Sequence, residues 1–453
     1  MKSIKRTQRV TSLIILLFII GMAILVLKII HESSFYMMNS DQLQLGYVYD
    51  RKGDVLYDGT GKGSYPDNYF IDVGNIIGDE KGQMDNTLVA RNLEKLNNYN
   101  FSDGLLKDGG KAAIYTTLDH AANRAVFDAY GYMKGCVSAY NYKTGEMLVC
   151  TSLPSLDVTK GYDNIQSFES ATLLSKNLYG TVPGSTQKVS TVISALEIMG
   201  SGLLYSKSYT CTGKYLNQTG GEIDCHNAYG HGTQNIQEAF ENSCNPFFAQ
   251  LIEDTDLPFE RLKKQYEKLG YVLNGDKPKY LDIDGIQCAT ASTTLENPLE
   301  FKTQWGCIGQ GDTLVSPIQL MMWESAIANE TGRMTMPYFI DHVTNTRGTV
   351  KEKAKTKYSD KLFSENTASG VKQIMLTNGA DRYSYLISGY NIGVKSGTAQ
   401  VQEGAKENSL LVGFVDDPSF PIAFCILIED KDSGWLTTEN IAQVLLDNLK
   451  NNF

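Results

Sequence analysis

Three short stretches of this 453-residue chain carry side chains whose types and spacing suit covalent catalysis by a serine. In "YGTVPGSTQKVSTVISALEIMG", Ser185 stands three residues ahead of Lys188. Residues three apart on a helix share a face, so the lysine amine can reach the serine hydroxyl. A buried helix would also depress the lysine pKa and let the amine act as a base. In "FENSCNPFF", Ser243 and Asn245 flank Cys244, just before Pro246. The proline turns Asn245 out of helical geometry and itself opens the next helix, leaving a hydroxyl and an amide in an inter-helix loop facing one cleft. In "GVKSGTAQV", Lys395-Ser396-Gly397-Thr398 lies on a strand. Alternation sends Ser396 and Thr398 to one face, where two hydroxyls suit a carboxylate ligand, and Lys395 to the other. Gly397 leaves room for another backbone to approach closely. Each stretch alone is commonplace: Ser-x-x-Lys arises by chance roughly once or twice in a chain this long. The three in this order, on a helix start, a loop and a strand, form one constellation.

The elements that must position these residues are readable in outline. Val189, Val192, Ile193, Leu196 and Met199 recur at helical spacing, Pro183-Gly184 marks the entry and Gly200 the stop, so Ser185 falls in the first turn. Free backbone N–H groups and the positive end of the dipole there favour developing negative charge. Upstream, "KAAIYTTLDHAANRAVFDAYG" reads as strand then helix, and "GCVSAYNYKTGEMLVCTSLPSLD" as a hairpin. Helices dominate from Ser185 to about Asn329. Strands return in "YNIGVKSGTAQVQ" and "NSLLVGFVDDPSFPIAFCILIED", and "TTENIAQVLLDNLK" closes the chain as a helix capped by Thr437 or Thr438. Strands at both ends with helices between predict one α+β domain over residues 111–453, its sheet built from distant segments. Residues 31–110 read as a short, turn-rich pedestal. It holds a hairpin in "LGYVYDRKGDVLYDGTG" and one helical stretch in "NTLVARNLEKLNNY".

The first 30 residues differ in texture. Residues 1–9 carry Lys2, Lys5, Arg6 and Arg9, and residues 10–30 run apolar, interrupted chiefly by Lys28. About 20 such residues span a bilayer, so we expect an uncleaved transmembrane anchor with a cytoplasmic basic tail and everything beyond it extracytoplasmic. All 51 acidic residues lie after position 30, against 36 of the 41 basic ones, and so acidic a body argues against a nucleic-acid partner. The eight cysteines include no Cys-x-x-Cys. Outside the membrane a Cys211–Cys225 disulfide is the best candidate pair, and Cys136 and Cys150 flank a hairpin turn, with free, buried thiols the equal alternative. His226 and His231 make zinc with Cys211 and Cys225 conceivable, but the spacing fits no usual zinc pattern, and neither metal nor cofactor is expected.

The three motifs together resemble the penicillin-binding transpeptidases and serine β-lactamases, marked by Ser-x-x-Lys, Ser-x-Asn and Lys-Thr/Ser-Gly. "TTLDHAANRAV", "YNYKTGEMLVCTSLPSLD", "CIGQGDTLVSPIQLMMWESAIAN" and "KSGTAQV" with "LLVGFV" are similar to stretches of class B penicillin-binding proteins. The resemblance implies an α+β fold with an antiparallel sheet, helices on both sides and a helical block. It implies peptidoglycan D,D-transpeptidation on stem peptides ending in D-Ala-D-Ala, β-lactams as inhibitors and a membrane glycosyltransferase partner. Ser185 would be the nucleophile, Lys188 its base, and Ser243 with Lys395 the proton relay. Asn245 would hold substrate, and Ser396, Gly397 and Thr398 would bind the terminal carboxylate. Backbone N–H groups of Ser185 and Thr398 would form the oxyanion hole. A D,D-carboxypeptidase of the same fold, or a β-lactam sensor or scaffold without turnover, carries the same motifs. A class A β-lactamase would need a Glu-x-x-Leu-Asn stretch that is absent between Asn245 and Lys395. Three features depart from the family: Gln187 stands where an aromatic is usual, Leu45 replaces a common arginine, and the pedestal is short. The first bears on substrate or drug fit.

Overall fold

The computed structural model describes residues 2–38, 44–100, 104–106, 110–275, 279–401, 404–431 and 435–452. Its organising element is a five-stranded antiparallel sheet in the order Ile392–Val401, Lys406–Val415, Ile422–Glu429, Lys134–Asn141, Met147–Leu153. The hairpin predicted near residue 135 thus pairs with the strands predicted near the end of the chain, Phe424 opposite Ala139 and Leu427 opposite Cys136. Two-residue alternation divides this sheet cleanly. Ile422, Phe424, Ile426 and Ile428 pack in one cluster with Val126 and Tyr130 of the helix His120–Tyr130 and with Ile441, Leu445 and Leu449 of the helix Thr438–Asn452. Ala423, Cys425 and Leu427 point the other way, into the larger core that holds the helix Lys188–Met199 and the wholly buried helix Pro317–Ala328. The C-terminal helix is capped as expected: Asn440 N–H donates to Thr437 Oγ1 at 3.2 Å.

A second five-stranded sheet runs in the order Val350–Lys353, Ile340–Thr344, Ala113–Thr116, Tyr47–Tyr49, Val55–Asp58. Tyr47–Tyr49 lies parallel to Ala113–Thr116 and antiparallel to its hairpin partner Val55–Asp58. Segments on both sides of residue 110 therefore hydrogen-bond in one sheet, and Leu45, Val48 and Leu56 belong to the same buried cluster as the helix Lys188–Met199. Leu45 is buried, so the departure at this position is a core contact. The helical stretch expected before residue 100 is two short helices, Leu88–Arg91 and Leu93–Leu96.

The block between Ser185 and Asn329 is less helical than its sequence texture predicts. Short ribbons interrupt it: Tyr209–Cys211 pairs with Gly232–Gln234, Lys214–Leu216 with Glu222–Asp224, and Tyr280–Ile283 with Ile286–Ala289. Runs of three or four residues are too short for a periodic signal. At the other end, the helix Lys2–Met38 contains Ile4–Ile30, with a mean hydropathy of 3.2 over its most apolar window and no buried residue there. Among the described residues it is the one helix long and apolar enough to cross a membrane.

Glu324, inside Pro317–Ala328, has a carboxylate oxygen that meets no hydrogen-bond donor. Burial raises its carboxyl well above the usual range, so the folded chain holds it neutral, whereas the unfolded chain ionises it at neutral pH. Because the folded pKa lies above the unfolded one, this group's contribution is whole at low pH. It is lost progressively as pH rises above the unfolded carboxyl's value of roughly 4.3. Glu324→Gln is expected to raise the Tm near neutral pH, with the gain vanishing toward about pH 4. A lower Tm at neutral pH would mean that the site uses an ionised carboxylate.

Candidate active site

The Ser-x-x-Lys segment enters through one tight turn, Gly184–Gln187, and continues as the helix Lys188–Met199, buried from Lys188 through Leu196. Gly184 has φ of +54°, and a Cβ there would sit 2.5 Å from the carbonyl oxygen of Thr398, so only glycine lets the turn reach the strand. Gly397 answers from the other side: its Cβ would lie 2.8 Å from Pro183 O and 3.1 Å from Ser185 N. The motif strand Ile392–Val401 and the start of the nucleophile helix thus touch backbone to backbone.

The Ser-x-Asn segment follows the helix Ile236–Glu241, which Asn235 and Glu238 close with a reciprocal capping box. The chain then reverses at Ser243, whose φ of +50° is left-handed. Cys244 caps the helix Asn245–Glu253, with Asn245 first and Pro246 second. The sequence expectation that Pro246 begins this helix is therefore shifted by one residue. First-turn N–H groups lack intrahelical acceptors, so a proline at the second position costs no helical hydrogen bond.

These segments converge on one atom. Lys188 Nζ lies 2.9 Å from Ser185 Oγ, 3.2 Å from Ser243 Oγ, 2.7 Å from the carbonyl oxygen of Ser243 and 2.7 Å from Asn245 Oδ1. The amide orientation is fixed on its far side, where Asn245 Nδ2 donates to Asp224 O at 3.0 Å. Two of the four neighbours are oxygens that only accept. They take the two N–H bonds of a neutral amine and leave its lone pair to the hydroxyls. Burial brings Lys188 down to about 7, and Cys244 and Cys225, which favour the charged amine, oppose it only in part.

Lys395 Nζ reaches Ser243 Oγ at 3.1 Å and its neighbour's carbonyl, Ser396 O, at 2.8 Å. One hydroxyl is therefore shared by two amines. Burial lowers Lys395 well below its ordinary value, and the positive charge of Lys188 pushes in the same direction. The alternation expected for this strand holds: Lys395 is buried, Ser396 half-buried and Thr398 exposed. Ser396 Oγ accepts from Tyr383 at 2.5 Å. The carbonyl of Thr398 faces the Ser185 turn and accepts from Gln310 Nε2 at 3.1 Å. A strand residue presents its N–H and C=O on the same edge, so the Thr398 N–H also leaves on the edge toward the turn. Neither Tyr383 nor Gln310 belongs to the three motifs: nothing in the sequence marks Tyr383, and Gln310 stands in the family-like stretch "CIGQGDTLVSPIQLMMWESAIAN" with no role of its own assigned.

Gln187 points away from this cleft. Its side chain is fully buried, and Oε1 accepts from Tyr271 at 2.6 Å. The departure expected to bear on substrate fit is thus a core contact, because its place in the turn faces the hydrophobic interior and not the serine. All eight cysteines, Cys211 and Cys225 included, are buried free thiols.

A Ser-x-x-Lys helix, a Ser-x-Asn turn and a Lys-Ser-Gly strand converging beside a five-stranded antiparallel sheet define the serine penicillin-recognising class. The family model described as the penicillin binding protein transpeptidase domain matches residues 135–447, and the chain belongs to that family. Stage V sporulation protein D of Bacillus subtilis is 31% identical over 305 residues, 63% of this chain and 44% of that relative. Peptidoglycan D,D-transpeptidase PbpA of Mycolicibacterium smegmatis is 24% identical over 347 residues, 70% of this chain and 67% of that one. In fold, the chain is similar to penicillin-binding protein A from M. tuberculosis, solved as a penicillin G acyl-enzyme complex. The TM-score is 0.75 at 19% identity, covering 90% of this chain and 99% of that one.

The Gln187 contact has a measurable consequence. Tyr271→Phe keeps the ring that stacks on Trp323 but leaves the buried Gln187 amide oxygen without a donor. It is expected to cost about 1–3 kcal/mol of stability while β-lactam acylation stays at the wild-type rate. A change in acylation without a loss of Tm would return Gln187 to the cleft.

Proposed function

We propose that this chain is a peptidoglycan D,D-transpeptidase, held by its N-terminal helix as a single-pass anchor with residues beyond 30 outside the cell membrane. The observation that carries the reading is the environment of Lys188. The amine is 2.9 Å from Ser185 Oγ, and its N–H bonds are directed to Ser243 O and Asn245 Oδ1. A serine hydroxyl is a weak nucleophile at neutral pH, and a neutral amine aimed at it supplies the missing base.

Ser185 Oγ attacks the carbonyl of the penultimate D-Ala of a stem peptide ending in D-Ala-D-Ala, and Lys188 takes its proton. The oxyanion lies between the N–H groups of Ser185 and Thr398. In serine enzymes one such donor is worth about 3–4 kcal/mol. Ser243 passes its proton to the departing D-Ala amine and is refilled from the amines on either side, Lys188 and Lys395. The C–N bond breaks, D-Ala leaves, and the acyl group stays on Ser185. An amine of a neighbouring stem then attacks the ester, with Lys188 again moving the proton, and forms the cross-link. Asn245 holds the incoming peptide as well as the amine of Lys188. Ser396 and Thr398 meet the terminal carboxylate, and that anion supplies Lys395 with the counter-charge it lacks in the unliganded cleft, so carboxylate binding and protonation of Lys395 are coupled. β-Lactams acylate the same serine and stall there. The class B resemblance implies a membrane glycosyltransferase that supplies glycan strands, and an N-terminal anchor would hold the chain in the same membrane.

The test uses the full chain in detergent micelles with benzylpenicillin, read by intact mass. A stable adduct is expected on the wild type and none on Ser185→Ala. An adduct on the alanine variant, or none on a folded wild type, would sink the proposal. Lys188→Met is expected to slow acylation by at least about 100-fold. Since the unprotonated amine is the active form, the acylation rate is expected to rise with pH through about 7 and level off above. A rate that falls across that range would mean the charged amine is required.

A further inference from the structure

Next to the catalytic cleft, four side chains from four separate turns meet head to head. Cys211 ends the strand Tyr209–Cys211 and Cys225 follows Glu222–Asp224. His231 precedes Gly232–Gln234, and Cys244 lies between Ser243 and Asn245. Their ligand atoms all lie within 4.8 Å of one another, the three cysteines buried and the histidine half-buried. Cys225 Sγ and His231 Nδ1 are 3.4 Å apart. In a tetrahedral zinc site, bonds of about 2.3 Å to sulfur and 2.0 Å to nitrogen put neighbouring ligand atoms about 3.5–3.8 Å apart. The Cys225–His231 pair already has nearly that spacing, and no pair of ligand atoms is more than 4.8 Å apart. His226, the other histidine of this segment, is exposed; its ring lies 5.2 Å from that of His231, beside the four and not among them.

We propose that Cys211, Cys225, His231 and Cys244 bind one zinc ion, and that this ion fixes the Ser243–Asn245 turn of the active site. Thiolate and imidazole donors select zinc over the hard cations that prefer oxygen. Four protein ligands leave no position for substrate or water, so the ion is structural and takes no part in acyl transfer. Binding displaces the three thiol protons to solvent and leaves the site with a net charge of −1. The geometric effect falls on Ser243. Its left-handed backbone, φ +50°, immediately precedes Cys244, and Asn245 immediately follows. An ion on Cys244 Sγ ties this turn to both ribbons, and thereby sets where Ser243 Oγ and Asn245 Oδ1 meet Lys188 Nζ. Sequence spacing hid the site because its fourth ligand stands inside a motif already read for another purpose. The rival use of the same thiols, a Cys211–Cys225 disulfide, removes two of the four ligands, so the two states exclude each other.

Elemental analysis of the full chain, purified in detergent micelles under reducing conditions without chelator, is expected to find one zinc per chain. Cys211→Ser and His231→Gln should each lose it. If the serine variant fails to fold, the half-buried His231 still gives a usable one. Cobalt substitution of the wild type should give the absorption of a tetrahedral thiolate site. Zinc retained by both variants would mean surface binding only and would overturn the proposal. A reduced, folded wild type that takes up no metal from excess Zn2+ would do the same, as would an intact mass two hydrogens short that maps to Cys211–Cys225. None of these readouts depends on transpeptidation. Stripping zinc is also expected to slow penicillin acylation by about 10- to 100-fold, with recovery on adding Zn2+. An unchanged rate would remove the role at Ser243.

Discussion

A buried amine without a carboxylate partner is the constraint around which this molecule is arranged. Lys188 has no exposure, and the groups at its head are hydroxyls, an amide oxygen and a backbone carbonyl. A carboxylate in that position would hold the lysine charged and inert; bare hydrocarbon would leave its N–H groups unsatisfied. Neutral acceptors do neither, because they satisfy the amine while leaving the charged form disfavoured. The rings of Phe248 and Phe240 face Lys188 and Lys395 at 5.4 and 5.6 Å, giving each amine a polarisable wall.

That arrangement needs three pieces of backbone from distant parts of the chain to meet within a few ångströms, and the sheet makes the meeting possible. The strand carrying Lys395 pairs along its whole length, Ile392 opposite Val415 through Val401 opposite Lys406. Its free edge is thereby held rigid against the turn that carries Ser185. Glycine at 184 and 397 is what closes the gap. A side chain at either position would meet a backbone oxygen or nitrogen, and those atoms cannot move aside as a flexible side chain would. Precision at the serine is therefore a property of backbone packing, with the side chains hung from it.

Much of this was legible because it is periodic or punctuated. Val189, Val192 and Ile193 announced a buried helix, and the continuous apolar run in "IAFCILIE" suits the strand covered on both faces that it forms. Pro246 announced a helix start to within one residue. What stayed hidden was decided by tertiary proximity. Tyr383 reaches Ser396 from a separate helical turn, and Gln310 reaches Thr398 from a loop; neither has a local pattern. The orientation of Gln187 was equally closed, since a residue inside Ser-x-x-Lys looks from the sequence like a neighbour of the substrate. Its amide instead completes a hydrogen bond to Tyr271 within the core.

The turn at Ser243 shows why such a site cannot rest on local preference. A serine with positive φ is held in a conformation that its own backbone disfavours, and it persists only if its surroundings over-determine it. Cys244 N–H donates to Ala239 O at 3.0 Å and Asn245 Nδ2 to Asp224 O at 3.0 Å, so one restraint comes from the preceding helix and one from a ribbon. Both ribbons are only three residues per strand, and a two-stranded ribbon of that length has little stability of its own. The most strained residue of the cleft is therefore braced by some of its least self-sufficient elements. Ribbons so small have to be secured by side chains that bind one another, and the cysteine and histidine side chains that converge on Cys244 are in the position where such a fastening acts directly on the turn.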